Sequence, residues 1–227
     1  MMTALFIGML TGITVWWFLV QRLLNKPWTE HGILPGSQDT MSAPRVGLWV
    51  FLGMIGSLFL VFMSAYIMRM GHGHGGGMQE WVAVDEPALL WLNTALLVLA
   101  SVAMQRAQGA AVRNDLAGAR TGLAAAGVVT LAFLSGQLWV WEMLASSGQY
   151  SVQTPAYTFF ILLTAVHGLH LIGGLAVLGS AARRLWRVDP GNVVAVGKLQ
   201  MSVELCATYW HFLLLVWILL FWLLMAT

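Results

Sequence analysis

Six stretches, near residues 3–24, 46–68, 87–105, 122–144, 156–180 and 200–226, run almost without a charged side chain, and they decide what this chain can fold into. A helix rising about 1.5 Å per residue needs roughly 20 apolar residues to cross about 30 Å of hydrocarbon, so each run is long enough to span a bilayer. The runs are too long for barrel strands and show no period-two alternation, which leaves helices to satisfy the backbone where water is absent. Composition agrees: of 227 residues, 59% are hydrophobic and 9% charged, far from the balance of a water-soluble domain. The expected fold is all-α, a polytopic membrane bundle of six transmembrane helices. It divides into an N-terminal transmembrane helix over 1–25, a linker over 26–45 and a five-helix bundle over 46–227.

The basic residues orient the bundle. Arg22, Lys26 and Arg45 flank the first connection, Arg106, Arg113 and Arg120 the third, and Arg183, Arg184, Arg187 and Lys198 the fifth, while Arg69 alone falls on the other side. The positive-inside bias then puts those three connections in the cytoplasm and both chain ends on the outer, periplasmic side. The net charge of +2 is accounted for by this topology, and no nucleic-acid surface is expected. The first run has no basic residue before it and no small-residue cleavage site, so it reads as a retained helix and not a secretory leader. The single cysteine, Cys206, lies within the last run and is read as a packing residue.

Two connections have a distinct character. Residues 25–45 hold Pro27, Gly32, Pro35, Gly36 and Pro44, which forbid a continuous helix. The outer connection over 69–86 contains Gly71-His72-Gly73-His74-Gly75-Gly76-Gly77. Two imidazoles on a glycine tether are too few for a structural metal site, so a flexible loop is the preferred reading.

Polar residues at membrane depth are few, and each is a functional hypothesis by default. His167 and His170, three apart in the fifth run, share a face that Gly174 continues; Glu204, Thr208 and His211 share another in the sixth. A short connection makes these two helices antiparallel neighbours, so the four titratable side chains are expected to form one seam of contacts. Three His and one Glu also suggest a metal, but H-x-x-H without carboxylates at depth is a weak ligand signature. Interhelical hydrogen bonding is preferred. Asn93 and Thr94 in the third run and Gln137 in the fourth are read in the same way. The tryptophans read as interfacial anchors, Trp139 and Trp141 beside Glu142 among them. Arg45 and Lys198 are candidates for holding a lipid phosphate. No catalytic residue and no metal ligand set is assigned.

Taken in order along the chain, these residues resemble a family. Arg45-x-Gly47-x-Trp49-x-Phe51-Leu52 opens the second run, Leu92-Asn93-Thr94 lies in the third, and Gln137-x-x-x-Trp141 in the fourth. Phe159-Phe160 and His167-Gly168-Leu169-His170 lie in the fifth, and Glu204 precedes Tyr209-Trp210-His211-Phe212 in the sixth. The set is similar to subunit III of the haem-copper terminal oxidases of the cytochrome c oxidase type, over residues 45–222.

The resemblance implies five shared helices, with the first one here extra relative to the short bacterial form. It implies a multi-pass protein of the bacterial cytoplasmic membrane that carries no haem or copper itself, those belonging to subunits I and II. Such a subunit packs beside subunit I, binds phospholipid in a V-shaped cleft and supports proton uptake and oxygen access. A small subunit IV is a further expected partner, and cytochrome c or quinol reaches the complex through other subunits. On this reading Arg45, Trp49, Lys198, Tyr209 and Trp210 would contact lipid or neighbouring subunits.

Two carboxylates frequent in the family are replaced here by Ile55 and Leu214, so proton-handling roles attached to them do not carry over. Subunit III of quinol oxidases and the subunit III-like protein of nitric oxide reductases share the resemblance. A reading of another class, a membrane metal transporter or chaperone, would use His72, His74 and the intramembrane imidazoles as successive stations.

Overall fold

The computed structural model describes residues 43–73, 89–146, 155–187 and 193–225, with no side-chain description at 70–73 and 193–195. These residues form five helices: α1 (Ala43–Gly73), α2 (Leu89–Val112), α3 (Leu116–Ser146), α4 (Pro155–Arg187) and α5 (Val193–Met225). All five are long and apolar enough to cross a membrane, and no strand occurs among the described residues. The predicted helix over 3–24, the linker below residue 43 and the His72/His74 metal reading fall outside what is described.

Each helix outruns the apolar stretch that predicted it. α2 continues past residue 105 to Val112, and α4 past residue 180 to Arg187. An apolar run marks the hydrocarbon slab, whereas a helix persists into the headgroup region as long as its hydrogen-bond ladder continues.

The turn between α2 and α3 shows how a very short connection is made. Asn114 takes a left-handed φ of 58°. The amide of Asn114 donates to Ala111 O at 3.0 Å and that of Asp115 to Ala110 O at 2.9 Å, the paired bonds of a Schellman stop. Asp115 then starts the next helix, its Oδ1 accepting the amide of Gly118 at 2.9 Å as an N-cap. The two helices pack closely along small residues: a Cβ placed on Gly122 would lie 2.8 Å from that of Ala107. Such backbone approach suits a bilayer, where dispersion and not water expulsion drives helix association.

α5 is the hub. It packs on α1, α2 and α4, whereas α1, among the described helices, packs on α4 and α5. Hydrogen bonds fix the ends together. Gln200 Nε2 on α5 donates to Ala111 O and to Asn114 Oδ1, both at 3.0 Å. Arg120 on α3 caps α4 at Leu185 O, 3.1 Å away. Arg45 on α1 meets Glu204 on α5 at 2.8 Å. The basic clusters predicted to share one side of the membrane are thereby drawn to one end of the bundle, called here the basic end.

Candidate functional site

An open cleft of about 610 Å³ lies where α1 leans on α4 and α5. It exists because α1 has no packing against α2 or α3 and because small residues face it, Gly47 on α1 and Gly173 and Gly174 on α4. Its walls are largely apolar, with Phe51, Leu169, Val177 and Leu205 among them; Ser180, Arg184 and Ser202 supply polar atoms towards the basic end. Its volume lies within the roughly 300–1,000 Å³ usual for small-molecule sites.

Tyr209 and Trp210 form the inner wall and are held from behind. Tyr209 Oη donates to His170 O at 2.9 Å, and Trp210 Nε1 donates to Thr130 Oγ1 on α3 at 3.2 Å. Gly174 admits both rings: a Cβ there would sit 2.7 Å from Tyr209 Cε1 and 3.1 Å from Trp210 Cζ3. Phe51 of α1 stacks on Tyr209 with ring centroids 6.1 Å apart. His170 Nδ1 contacts Val166 O one turn back at 2.7 Å. A carbonyl only accepts, so that contact places a hydrogen on Nδ1.

The expected seam from Glu204 through the imidazoles is not formed. Glu204 pairs with Arg45, and Thr208 Oγ1 donates to Glu204 O within its own helix at 3.0 Å. His211 turns to α2, where Ser101 Oγ contacts Nδ1 and Gln105 Oε1 lies 2.9 Å from Nε2. His167 is fully buried, and neither ring nitrogen has a hydrogen-bond partner among the described residues. It sits edge-on to Phe59 and Phe133 and tilted against Trp217, with centroids 6.3, 6.1 and 5.1 Å away, so the imidazole is packed among aromatic rings. The physical reason is that helical spacing fixes a shared face but not which neighbour that face meets. α5 packs along α1, α2 and α4 and reaches α3 through Trp210, so its polar residues are divided among different partners.

Other sequence candidates are placed as follows. Asn93 Nδ2 donates to Gln137 Oε1 at 3.3 Å between α2 and α3, leaving Asn93 Oδ1 and Gln137 Nε2 buried without partners among the described residues. Trp49 and Lys198 are exposed. Arg45 is taken up by its ion pair, in which its side chain is 43% exposed and that of Glu204 35%. Among the described residues no three of His, Cys, Asp and Glu come close enough to hold a metal ion.

The tryptophan reading needs correction. Trp49, Trp91, Trp139, Trp186 and Trp222 are exposed, as anchors must be. Trp141, Trp210 and Trp217 instead point into the bundle, each with its indole N–H on a threonine of another helix. Trp141 reaches Thr164 at 3.1 Å, Trp210 reaches Thr130 at 3.2 Å and Trp217 reaches Thr94 at 3.0 Å. Each threonine hydroxyl donates in turn to the carbonyl four residues back, Phe160, Ala126 and Leu90, at 2.7, 2.7 and 2.9 Å. A buried indole needs an acceptor, and in hydrocarbon a threonine back-bonded to its own helix supplies one without leaving a donor open. Thr130 and Thr164 were missed because a lone threonine in an apolar run carries no periodic signal; only its pairing with a tryptophan on another run marks it.

The sequence profile described as cytochrome c oxidase subunit III matches residues 40–226. The chain is 30% identical over 204 residues to a protein named cytochrome c oxidase subunit 3 from Synechocystis sp., covering 87% of this chain and 81% of the relative. A cytochrome c oxidase subunit 3 from Thermostichus vulcanus is 29% identical over 185 residues, covering 79% and 85%. A cytochrome bo(3) ubiquinol oxidase subunit 3 from Pseudomonas putida is 24% identical over 189 residues, covering 81% and 85%.

Proposed function

Because the chain belongs to the cytochrome c oxidase subunit III family, we propose that it is a non-catalytic subunit of a haem-copper terminal oxidase, of the type fed by cytochrome c. On this reading it sits beside subunit I in the bacterial cytoplasmic membrane, six helices deep with both ends outside. It holds phospholipid in the cleft and supports proton uptake and oxygen access. Haem and copper would reside in subunits I and II, and a small subunit IV would complete the assembly.

The observation that carries the lipid assignment is the cleft itself. An acyl chain fits walls such as Phe51, Leu169 and Val177 because they replace the bilayer without loss, while Arg184 near the basic end offers donors to a phosphate. His170 lines the same wall and adds a polar ring to it. Tyr209, Trp210 and Gly174 then act by shape, keeping the inner wall rigid so that the lipid remains a fixed part of the fold. The cytochrome c donor is favoured by relatives of that name at 29% and 30% identity. A quinol donor is the second reading, supported by the ubiquinol oxidase relative at 24%.

The test is the reduced-minus-oxidised visible spectrum of a complex purified in mild detergent by a tag on this chain, with mass spectrometry of the lipids that remain. An a-type haem band and retained phospholipid are expected, and oxidation of added cytochrome c identifies the donor. Bands of b or c type alone would move the chain to a nitric oxide reductase or related oxidase, and a preparation without haem would refute the oxidase reading.

A further inference from the structure

Along its length α1 changes the helix it leans on. Towards the outer end its rings meet α4, Phe59 on His170 with centroids 5.6 Å apart and Tyr66 on Phe159 at 5.7 Å. Towards the basic end it lies on α5, where Phe51 stacks on Tyr209 at 6.1 Å and a Cβ on Gly56 would stand 3.7 Å from Phe212. The cleft is the wedge left between α1 and α4 as they part: α1 lines it with Pro44, Gly47, Leu48 and Phe51, all on the basic side of Phe59. It therefore opens towards the basic end, where Ser180, Arg184 and Ser202 supply its polar atoms.

The width of that opening depends on where the first turns of α1 are held. Arg45 lies in the first turn of a helix that starts at Ala43, and helix ends fray unless they are tied down. Its guanidinium meets Glu204 of α5 at 2.8 Å. Both residues are interleaved with the lining, Arg45 between Pro44 and Gly47 and Glu204 between Ser202 and Leu205, yet their own side chains are turned to each other. The pair thus ties two walls of the cleft together at the level of its polar atoms. The next ring contact between α1 and α5, Phe51 on Tyr209, lies about 9 Å further along the helix. A lipid leaving by the basic end needs this first stretch of α1 to swing away, and the ion pair opposes that motion.

We propose that the Arg45–Glu204 ion pair is a positioning clasp: it holds the basic end of α1 on α5, fixes the mouth of the cleft and thereby slows exchange of the lipid inside. This role rests on the reading of the cleft as a phospholipid site.

The experiment takes the whole complex, purified by a tag on this chain, into micelles carrying phosphatidylglycerol and phosphatidylethanolamine with deuterated acyl chains. Replacement of the retained unlabelled phospholipid is followed over time by mass spectrometry. Gly173→Phe identifies the cleft population, because a Cβ on Gly173 meets nothing within 4 Å and the ring would occupy the cleft. A slowly exchanging lipid, present in the parent and lost in Gly173→Phe, is expected. Arg45→Gln and Glu204→Gln should each speed its exchange about two- to five-fold, the factor that a partly exposed ion pair can supply. The swapped double variant, Arg45→Glu with Glu204→Arg, should return the rate towards that of the parent. Thr94→Val removes a bond between α2 and α5 that does not touch the cleft and should leave the rate unchanged. Equal rates in the parent and the two single variants would overturn the clasp and leave the lipid site standing. So would a swapped variant as fast as the single ones, or an equal acceleration in Thr94→Val. A slow population that persists in Gly173→Phe, or none in the parent, would overturn the lipid reading and the clasp with it.

Discussion

Replacing Gly174 by alanine adds one methyl group at the tightest point of the inner cleft wall, and its neighbour Gly173 provides a matched control. The new Cβ would meet Tyr209 Cε1 at 2.7 Å and the Trp210 ring at 3.1–3.2 Å, whereas a Cβ on Gly173 meets nothing within 4 Å. Neither ring can retreat freely, since Tyr209 is tied to His170 O and Trp210 to Thr130. Overpacking of this kind costs about 1–3 kcal/mol, and each interhelical hydrogen bond stretched in relieving it forfeits about 0.6 kcal/mol. Against this, alanine gains up to about 1 kcal/mol of helix propensity over glycine. The expected net effect of Gly174→Ala is a loss of about 1–3 kcal/mol, while Gly173→Ala should be neutral or stabilising by up to about 1 kcal/mol. The assay is equilibrium unfolding of the full chain in mixed micelles titrated with denaturing detergent, followed by tryptophan fluorescence. Adding Tyr209→Phe, which releases one ring, should recover part of the loss, so that the two changes are non-additive. If Gly174→Ala and Gly173→Ala unfold at the same midpoint, the argument from anchored rings is wrong.

Three further outcomes follow from the same geometry. Arg45→Ala and Glu204→Ala should each cost no more than about 1 kcal/mol, because the pair is partly exposed, and the double variant should cost no more than the worse single one; a double-mutant cycle in the unfolding assay checks this, and strict additivity would deny the pairing. Thr94→Val and Trp217→Phe remove the two halves of one hydrogen bond and should show a coupling of about 0.6–1.7 kcal/mol, whereas independent effects would mean the bond contributes nothing. His167→Phe should be tolerated to within about 1 kcal/mol, since the imidazole makes no hydrogen bond that is lost and an aromatic box already surrounds it; a large loss of melting temperature would show that the ring nitrogens have a partner.

Much of this architecture was legible in the chain before any coordinate, because the bilayer leaves so few options. Runs almost free of charge identified the five described helices, and the arginines marked the end at which Arg45, Arg120 and Gln200 tie the bundle together. Helix ends were less legible: Val112 and Arg187 lie beyond the apolar slab, where the ladder continues with polar side chains outside. The site was legible by residue and not by partner. His170, Tyr209 and Trp210 were singled out and all line the cleft, yet the seam meant to join His211 and Glu204 to them dissolved, because a helical face says nothing about its neighbour. Gly174 mattered less as a flexible residue than as an absent side chain, a role that appears only when Tyr209 and Trp210 are seen against it. Asn114 gave no signal as a lone asparagine, and its left-handed φ is what makes so short a turn possible.

The three tryptophan–threonine pairs bear on how the protein is made. Membrane helices are inserted first and sorted against one another afterwards, in a medium where sliding one greasy helix past another carries little penalty. A one-residue slip rotates a helix surface by about 100°, which would carry Trp210 and Trp217 away from Thr130 and Thr94 together and strand both indole donors in hydrocarbon. Trp141 and Thr164 impose the same condition on a different pair of helices. The pairs therefore add a directional preference that apolar packing lacks, favouring the register in which all three donors are closed.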